Sequence, residues 1–199
     1  MSEYSAANIT VLEFDESVRQ RPSMYFGADP HLATTVLTAV VIASLHPGPR
    51  VAPSGPPDVT AEILDDLAFS ITDNWPTGPG GSTDGHYGSV LTSYRWVHAA
   101  AAAVSTQTTI ETWYAGHALR QQLAGSRPAG PSHDVDAPGG TGTTMTFRLD
   151  PAFFSPSILD APTLDLHAEV CCDVPGRFRL RDSRPGRGSR PGQGGAISG

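Results

Sequence analysis

Apolar residues recur every three or four positions in some stretches of this chain and every second position in others. The two periods predict where helices and strands fall. Val11, Phe14 and Val18 give residues 9–20 one apolar helical stripe. Pro22 ends that helix, because its ring removes a donor and disfavours the helical conformation just before it. Met24, Tyr25 and Phe26 follow as an apolar run expected to be buried, and Gly27 frees the backbone to turn. In residues 31–45, Leu32, Val36, Leu37, Val40, Val41 and Leu45 wrap most of a helix and predict deep burial. Residues 59–64 and 67–73 read as two strands joined at Asp65-Asp66. An Ala-rich helix is expected over 94–104, then a hairpin of 108–114 with 118–123 turning at Ala115-Gly116. Residues 143–149 and 177–181 read as further strands, with a poor helix over 158–170 between them.

Composition narrows the class. At 199 residues the chain holds one full-sized domain. Its 39% hydrophobic content, with 18 Pro and 21 Gly, fits a domain with long irregular loops. Residues 1–8 are expected to form a short polar arm, 9–182 the domain, and 183–199 a disordered tail rich in Arg, Gly and Pro. A net charge of −7 argues against nucleic-acid binding by the body of the domain. All 13 basic residues are Arg, so any phosphate contact that requires a lysine has no candidate. The cluster Arg177, Arg179, Arg181, Arg184, Arg187 and Arg190 would touch nucleic acid at most weakly; a solvated strand edge and tail explain it more simply. Cys171 and Cys172 are adjacent, cannot bridge each other without strain and lack metal-ligand spacing, and so read as a reduced intracellular pair. The seven His show no metal-helix spacing. No signal peptide or apolar run of membrane length is evident, and a cytoplasmic location is expected.

Residues 17–27 read S-V-R-Q-R-P-S-M-Y-F-G. Arg19, Arg21, Pro22, Met24, Tyr25 and Gly27 make this segment similar to V-R-x-R-P-x-M-Y-x-G, which opens the ATPase domain of the gyrase B subunit and its topoisomerase IV relative, in the GHKL superfamily. The resemblance implies an α+β fold, a two-layer Bergerat-type sandwich with helices on one face of a mixed sheet. It covers roughly residues 9–182. Further along, I-T-D-N-W-P-T-G over 71–78 resembles the family's V-x-D-x-G-x-G-I-P-T-G, which makes Asp73 the counterpart of the adenine-binding carboxylate and Gly78 a pocket glycine. G-H-A-L-R-Q over 116–121 resembles G-K-x-x-R-Q and implies Arg120 at the pocket mouth. T-G-T over 141–143 resembles the family's T-G-T strand, with Thr143 as the threonine that shares a water with the aspartate. Each of these also has a plain structural reading: an Asx-turn at Asp73, a solvated hairpin Arg and an ordinary strand Thr.

The family's catalytic residues are missing. The resemblance places its general base at Thr38 and its magnesium-holding asparagine at Ile42, and residues 17–61 contain neither Glu nor Asn. A threonine cannot take a water proton at neutral pH, and isoleucine offers no oxygen to a hard cation. The Gly-rich lid is absent from L-T-S-Y-R-W-V-H at 91–98, and Trp75 stands at a family glycine. Hydrolysis is therefore not expected, nor is magnesium. The first reading is weak ATP or ADP binding through Asp73 and Thr143 without turnover. The alternative is a module that keeps the scaffold without the nucleotide and serves a partner, either a topoisomerase subunit or another protein. On the alternative, Thr38, Val41, Ile42, Trp75 and Trp96 should close over one another and leave a pocket smaller than a nucleotide, because apolar groups left in a wet cleft are unfavourable.

Overall fold

A computed structural model describes residues 12–46, 55–75, 85–160 and 176–185. The expected arm at 1–8, Gly78, Cys171, Cys172 and most of the expected tail lie outside the described residues. So does the expected helix over 158–170, apart from residues 158–160, which are not helical.

The first helix, α1 (Phe14–Gln20), buries Val18. Beyond Pro22, the single turn α2 (Ser23–Phe26) buries Phe26 and ends at Gly27, whose φ of 78° explains the glycine. The expected burial of the whole apolar run is corrected here: Met24 is 67% exposed, because one helical turn cannot point three consecutive side chains the same way. Helix α3 (Ala33–Leu45) is apolar nearly all round and buries Val36, Leu37, Val40, Val41 and Leu45.

Strands β1 (Asp58–Asp65) and β2 (Ala68–Asp73) pair antiparallel. Helix α4 (Trp96–Ala103) follows, and its buried run Ala99–Ala103 lets backbone lie close against the sheet. β3 (Ser105–Tyr114) and β4 (His117–Ala124) form the expected hairpin, with Ala115 at φ 52° and Gly116 at φ 83° in the turn. Two short strands, β5 (Arg127–Pro128) and β6 (His133–Val135), both pair with β4. β7 (Gly142–Leu149), the single turn α5 (Pro151–Phe154) and β8 (Arg177–Asp182) complete the described elements. Asp150 caps α5 by accepting from the Ala152 N–H at 2.9 Å, with Pro151 as its first helical residue.

The fold is α+β: a mixed eight-stranded sheet in the order β5-β4-β3-β7-β2-β1-β8, with β6 also on β4 and a few helices packed on it. Among the described strands only the β1–β8 pair is parallel; the others run antiparallel. Register stacks the buried residues in rows across one face. Ile63, Phe69, Phe147, Thr108 and Leu123 form one row, and Ala61, Ile71, Met145, Ile110 and Gln121 the next. Helices α3 and α4 pack against these strands. The opposite face carries Thr60, Glu62, Ser70, Thr72, Thr144 and Thr146, polar and less deeply buried. Alternation of period two is what separates the two faces.

Candidate functional site

The third row on the helix-covered face is Val59, Asp73, Thr143, Thr112 and Leu119, and its centre is polar where the other rows are mostly apolar. A carboxylate buried in such a row must be paired. Its partner is Arg95, the residue that leads into α4. Arg95 Nη1 donates to Asp73 Oδ2 and Nη2 to Oδ1, both at 2.7 Å, with side-chain exposures of 2% and 1%. The Trp75 N–H also donates to Asp73 Oδ1, at 3.1 Å, closing the Asx-turn beyond β2. Both oxygens of Asp73 are thus engaged. One face of the Trp75 indole lies against the same guanidinium, 5.0 Å from Arg95 Cζ to the ring centroid. Sheet, ion pair and indole form three layers.

Trp75 lines a cleft of about 680 Å³. One wall is α3, which contributes Thr35, Thr38, Ala39 and Ile42. Tyr25 and Phe26 of α2 close one side, and Tyr94, Trp96, Val97 and His98 close another. Tyr25 and Trp96 sit 6.4 Å apart between ring centroids, and the Tyr25 hydroxyl hydrogen-bonds the Ser17 hydroxyl at 3.1 Å. The expectation that Trp75 and Trp96 close the cleft is corrected. Trp75 is held down on Arg95, while Trp96 stays 50% exposed at the rim, so the two rings do not seal the space.

His98 is fully buried on α4, with Nε2 2.9 Å from the Ser44 hydroxyl. Burial pushes its pKa well below the ordinary histidine value, and the nearby Arg95 charge adds to this, so the ring is neutral at physiological pH. Two buried polar atoms of cleft-lining residues, Trp75 Nε1 and His98 Nδ1, have no hydrogen-bond partner among the described residues. Thr143 Oγ1 is likewise buried without one.

The residues singled out from the sequence divide into two groups. Asp73 and Thr143 are directly paired across β2 and β7, and Thr38 and Ile42 both line the cleft. The Thr38 hydroxyl donates to the Thr34 carbonyl at 2.7 Å. Arg120 is not brought to this cleft. It projects from the other face of the sheet, paired with Glu111 at 2.8 Å, beside a separate depression lined by Asp134, Val135 and Asp136. The residue missed from the sequence is Arg95. The available signal was the strand-end Asp73 itself, which on burial requires a cation, in a chain that contains no lysine to supply one.

The glycine of T-G-T has a steric reason. A side chain on Gly142 would come within 2.5 Å of the Trp113 ring and 2.6 Å of the Asp73 carbonyl oxygen. Arg19 braces the end of α4: its Nε donates to the Ala103 carbonyl at 2.9 Å, and Nη1 donates to Asp150 at 3.0 Å.

Magnesium does not fit this cleft. Among the described lining residues there is no carboxylate, and the side-chain oxygens on offer are the hydroxyls of Thr, Ser and Tyr. No described helix is long and apolar enough to cross a membrane. No protein-family model matches the chain, and no curated protein matches it.

Proposed function

We propose that this protein is a non-hydrolysing binding module on a scaffold similar to the gyrase B-type GHKL ATPase domain, with the nucleotide contact given up. The observation that carries this reading is the bidentate Arg95–Asp73 pair, which takes both oxygens of the carboxylate that would otherwise accept from adenine. The Asp73 side chain is 1% exposed beneath the Arg95 guanidinium and the Trp75 ring, so an adenine amine would have to displace that cover to reach it. Leaving one charge of a buried pair unpartnered costs about 3–5 kcal/mol. That exceeds the net worth of a single hydrogen bond to a charged group, about 1.5–3 kcal/mol.

The resemblance to the GHKL scaffold rests on the residue 17–27 segment, on the adjacency of the Asp73 and Thr143 strands, and on the cleft between α2, α3 and α4. Turnover has no agent there. The Thr38 hydroxyl is spent on its own helix, and Ile42 is a hydrocarbon. A partner protein, a topoisomerase subunit among the options, would then be served by the scaffold without ATP chemistry.

The second reading, weak adenine-nucleotide binding, is favoured by one observation: Thr143 Oγ1 is buried and unpartnered directly opposite Asp73. Calorimetric titration of the full chain with ATP and ADP, with and without magnesium, separates the two. The expected result is no saturable heat and no phosphate release. Saturable nucleotide binding by the unmodified chain would establish the second reading instead.

A further inference from the structure

Strand β8 ends the sheet, and no described strand lies beyond it. Its parallel pairing with β1 uses alternate residues. The Arg177 N–H donates to the Pro57 carbonyl at 2.7 Å, and the Ser183 N–H donates to the Ile63 carbonyl at 2.9 Å. Backbone groups alternate sides along a strand, so the N–H and C=O groups of Phe178 and Leu180, between those two bonds, point away from β1. An edge of six residues with such groups turned outward is a template for a further strand.

The side chains select which strand fits. Arg177, Arg179 and Arg181 stand exposed on one face, and Phe178 and Leu180 pack partly buried against the core on the other. Arg179 is already matched: its Nη1 and Nη2 donate to the two carboxylate oxygens of Asp58 at 2.7 and 3.0 Å. Arg177 and Arg181 form no ion pair with any described residue. Arg181 lies opposite Glu62 in register, yet Glu62 accepts from the Ser183 hydroxyl. A second copy of the chain is a poor occupant. Two β8 strands paired antiparallel, with their faces matched, would set Arg opposite Arg, and like charges directly opposite are destabilising. Nucleic acid is a poor occupant as well. Two spare cations on a chain of net charge −7 are few for a phosphate backbone, and the outward N–H and C=O groups call for another peptide strand.

We infer that the β8 edge receives an extended acidic segment of a partner protein as a further strand. Its carboxylates would lie opposite Arg177 and Arg181, and its apolar side chains would continue the Phe178–Leu180 row. This goes beyond the cleft and holds whether or not a nucleotide binds there.

The experiment titrates the full chain, by calorimetry, with a capped hexapeptide of alternating Glu and Val, with its Lys and Val counterpart, and with a short oligothymidine. Amide exchange at Phe178 and Leu180 is followed by NMR in the same samples. The glutamate peptide is expected to bind saturably, less tightly as salt rises, and to slow exchange at both amides. The lysine peptide is expected not to bind. Arg177→Gln combined with Arg181→Gln removes two exposed side chains that hold no described ion pair. This variant should weaken the glutamate peptide about tenfold while the unfolding midpoint is retained. If neither peptide binds, the arginines only guard the edge against self-pairing and the proposal is overturned. Equal binding of both peptides, full binding by the double variant, or unaltered exchange at Phe178 and Leu180 on saturation also overturns it. Tighter binding of the oligothymidine would overturn it in favour of nucleic acid.

Discussion

Two charges taken out of water each cost several kcal/mol, and the Arg95–Asp73 pair recovers that cost only while both partners remain. Asp73→Asn or Arg95→Met alone should therefore destabilise the fold by about 3–5 kcal/mol. The double variant Asp73→Asn with Arg95→Met should be distinctly less damaging than the sum of the singles. Urea unfolding of the four proteins as a double-mutant cycle measures this, and simple additivity would show that the pair is not coupled. His98 makes a second prediction at the same scale. Its folded-state pKa is lowered by burial, so on acidification the unfolded chain takes up the proton first. Stability then falls as pH drops below about 6.5, the unfolded histidine value, with this residue contributing at most about 1.4 kcal/mol per pH unit. The contribution is fully present above that pH. His98→Gln should flatten the wild-type loss between neutral pH and mildly acid pH, read as the difference between the two unfolding curves.

Among the elements, the β3–β7–β2 junction and the β3–β4 turn respond in opposite senses to small changes. Gly142 lies where a methyl group would press on the Trp113 ring and on the Asp73 carbonyl, the latter fixed by the sheet. Gly142→Ala is expected to cost about 1–3 kcal/mol through overpacking, seen as a lower unfolding midpoint. Ala115 sits at φ 52°, a left-handed conformation that alanine tolerates poorly and asparagine well. Ala115→Asn, completing an Asn-Gly turn with Gly116, should raise stability by roughly 1 kcal/mol and the thermal midpoint by a few degrees. An unchanged or lower midpoint would mean that this turn is not held in the left-handed form.

At the scale of the whole molecule, the sheet's β8 edge is anchored by a residue that composition assigned to the tail. Arg184 is 6% exposed, and its guanidinium donates to the Leu159 carbonyl at 2.8 Å and to Asp182 at 2.6 and 2.9 Å. A weaker contact to Asp66, at 3.3 Å, ties in the turn between β1 and β2. The hydrogen bond to Asp182 raises its pKa further, against the opposing effect of burial. Among the described strands β8 pairs with β1 alone, so this anchor secures the one parallel pair found there. Arg184→Ala should be less stable than the parent chain by about 2 kcal/mol, the worth of a hydrogen bond to a charged group. Equal denaturation midpoints would remove the anchoring role.

The sequence alone determined the periodic elements, because a period of two or 3.6 is set by the chain's own geometry. The all-round apolar pattern of α3, the paired strands at 59–64 and 67–73 and the Ala115-Gly116 hairpin were legible for that reason. β5 and β6 were not, since strands of two and three residues are too short to show a period and exist only because β4 accepts their hydrogen bonds. The orientation of Arg120 was half-legible: Leu119 and Leu123 share a parity that turns it away from the core, but buried Gln121 between them obscures the alternation. The site depended most on tertiary structure. Asp73 was visible as a strand-end carboxylate and Thr143 as a strand threonine, yet Arg95 lies 22 residues beyond Asp73, and no local window links them. Which cation meets a buried carboxylate is decided by how helix and sheet pack. Once Arg95 is seated there, Trp75 lies on it instead of on Trp96, and the cleft stays open.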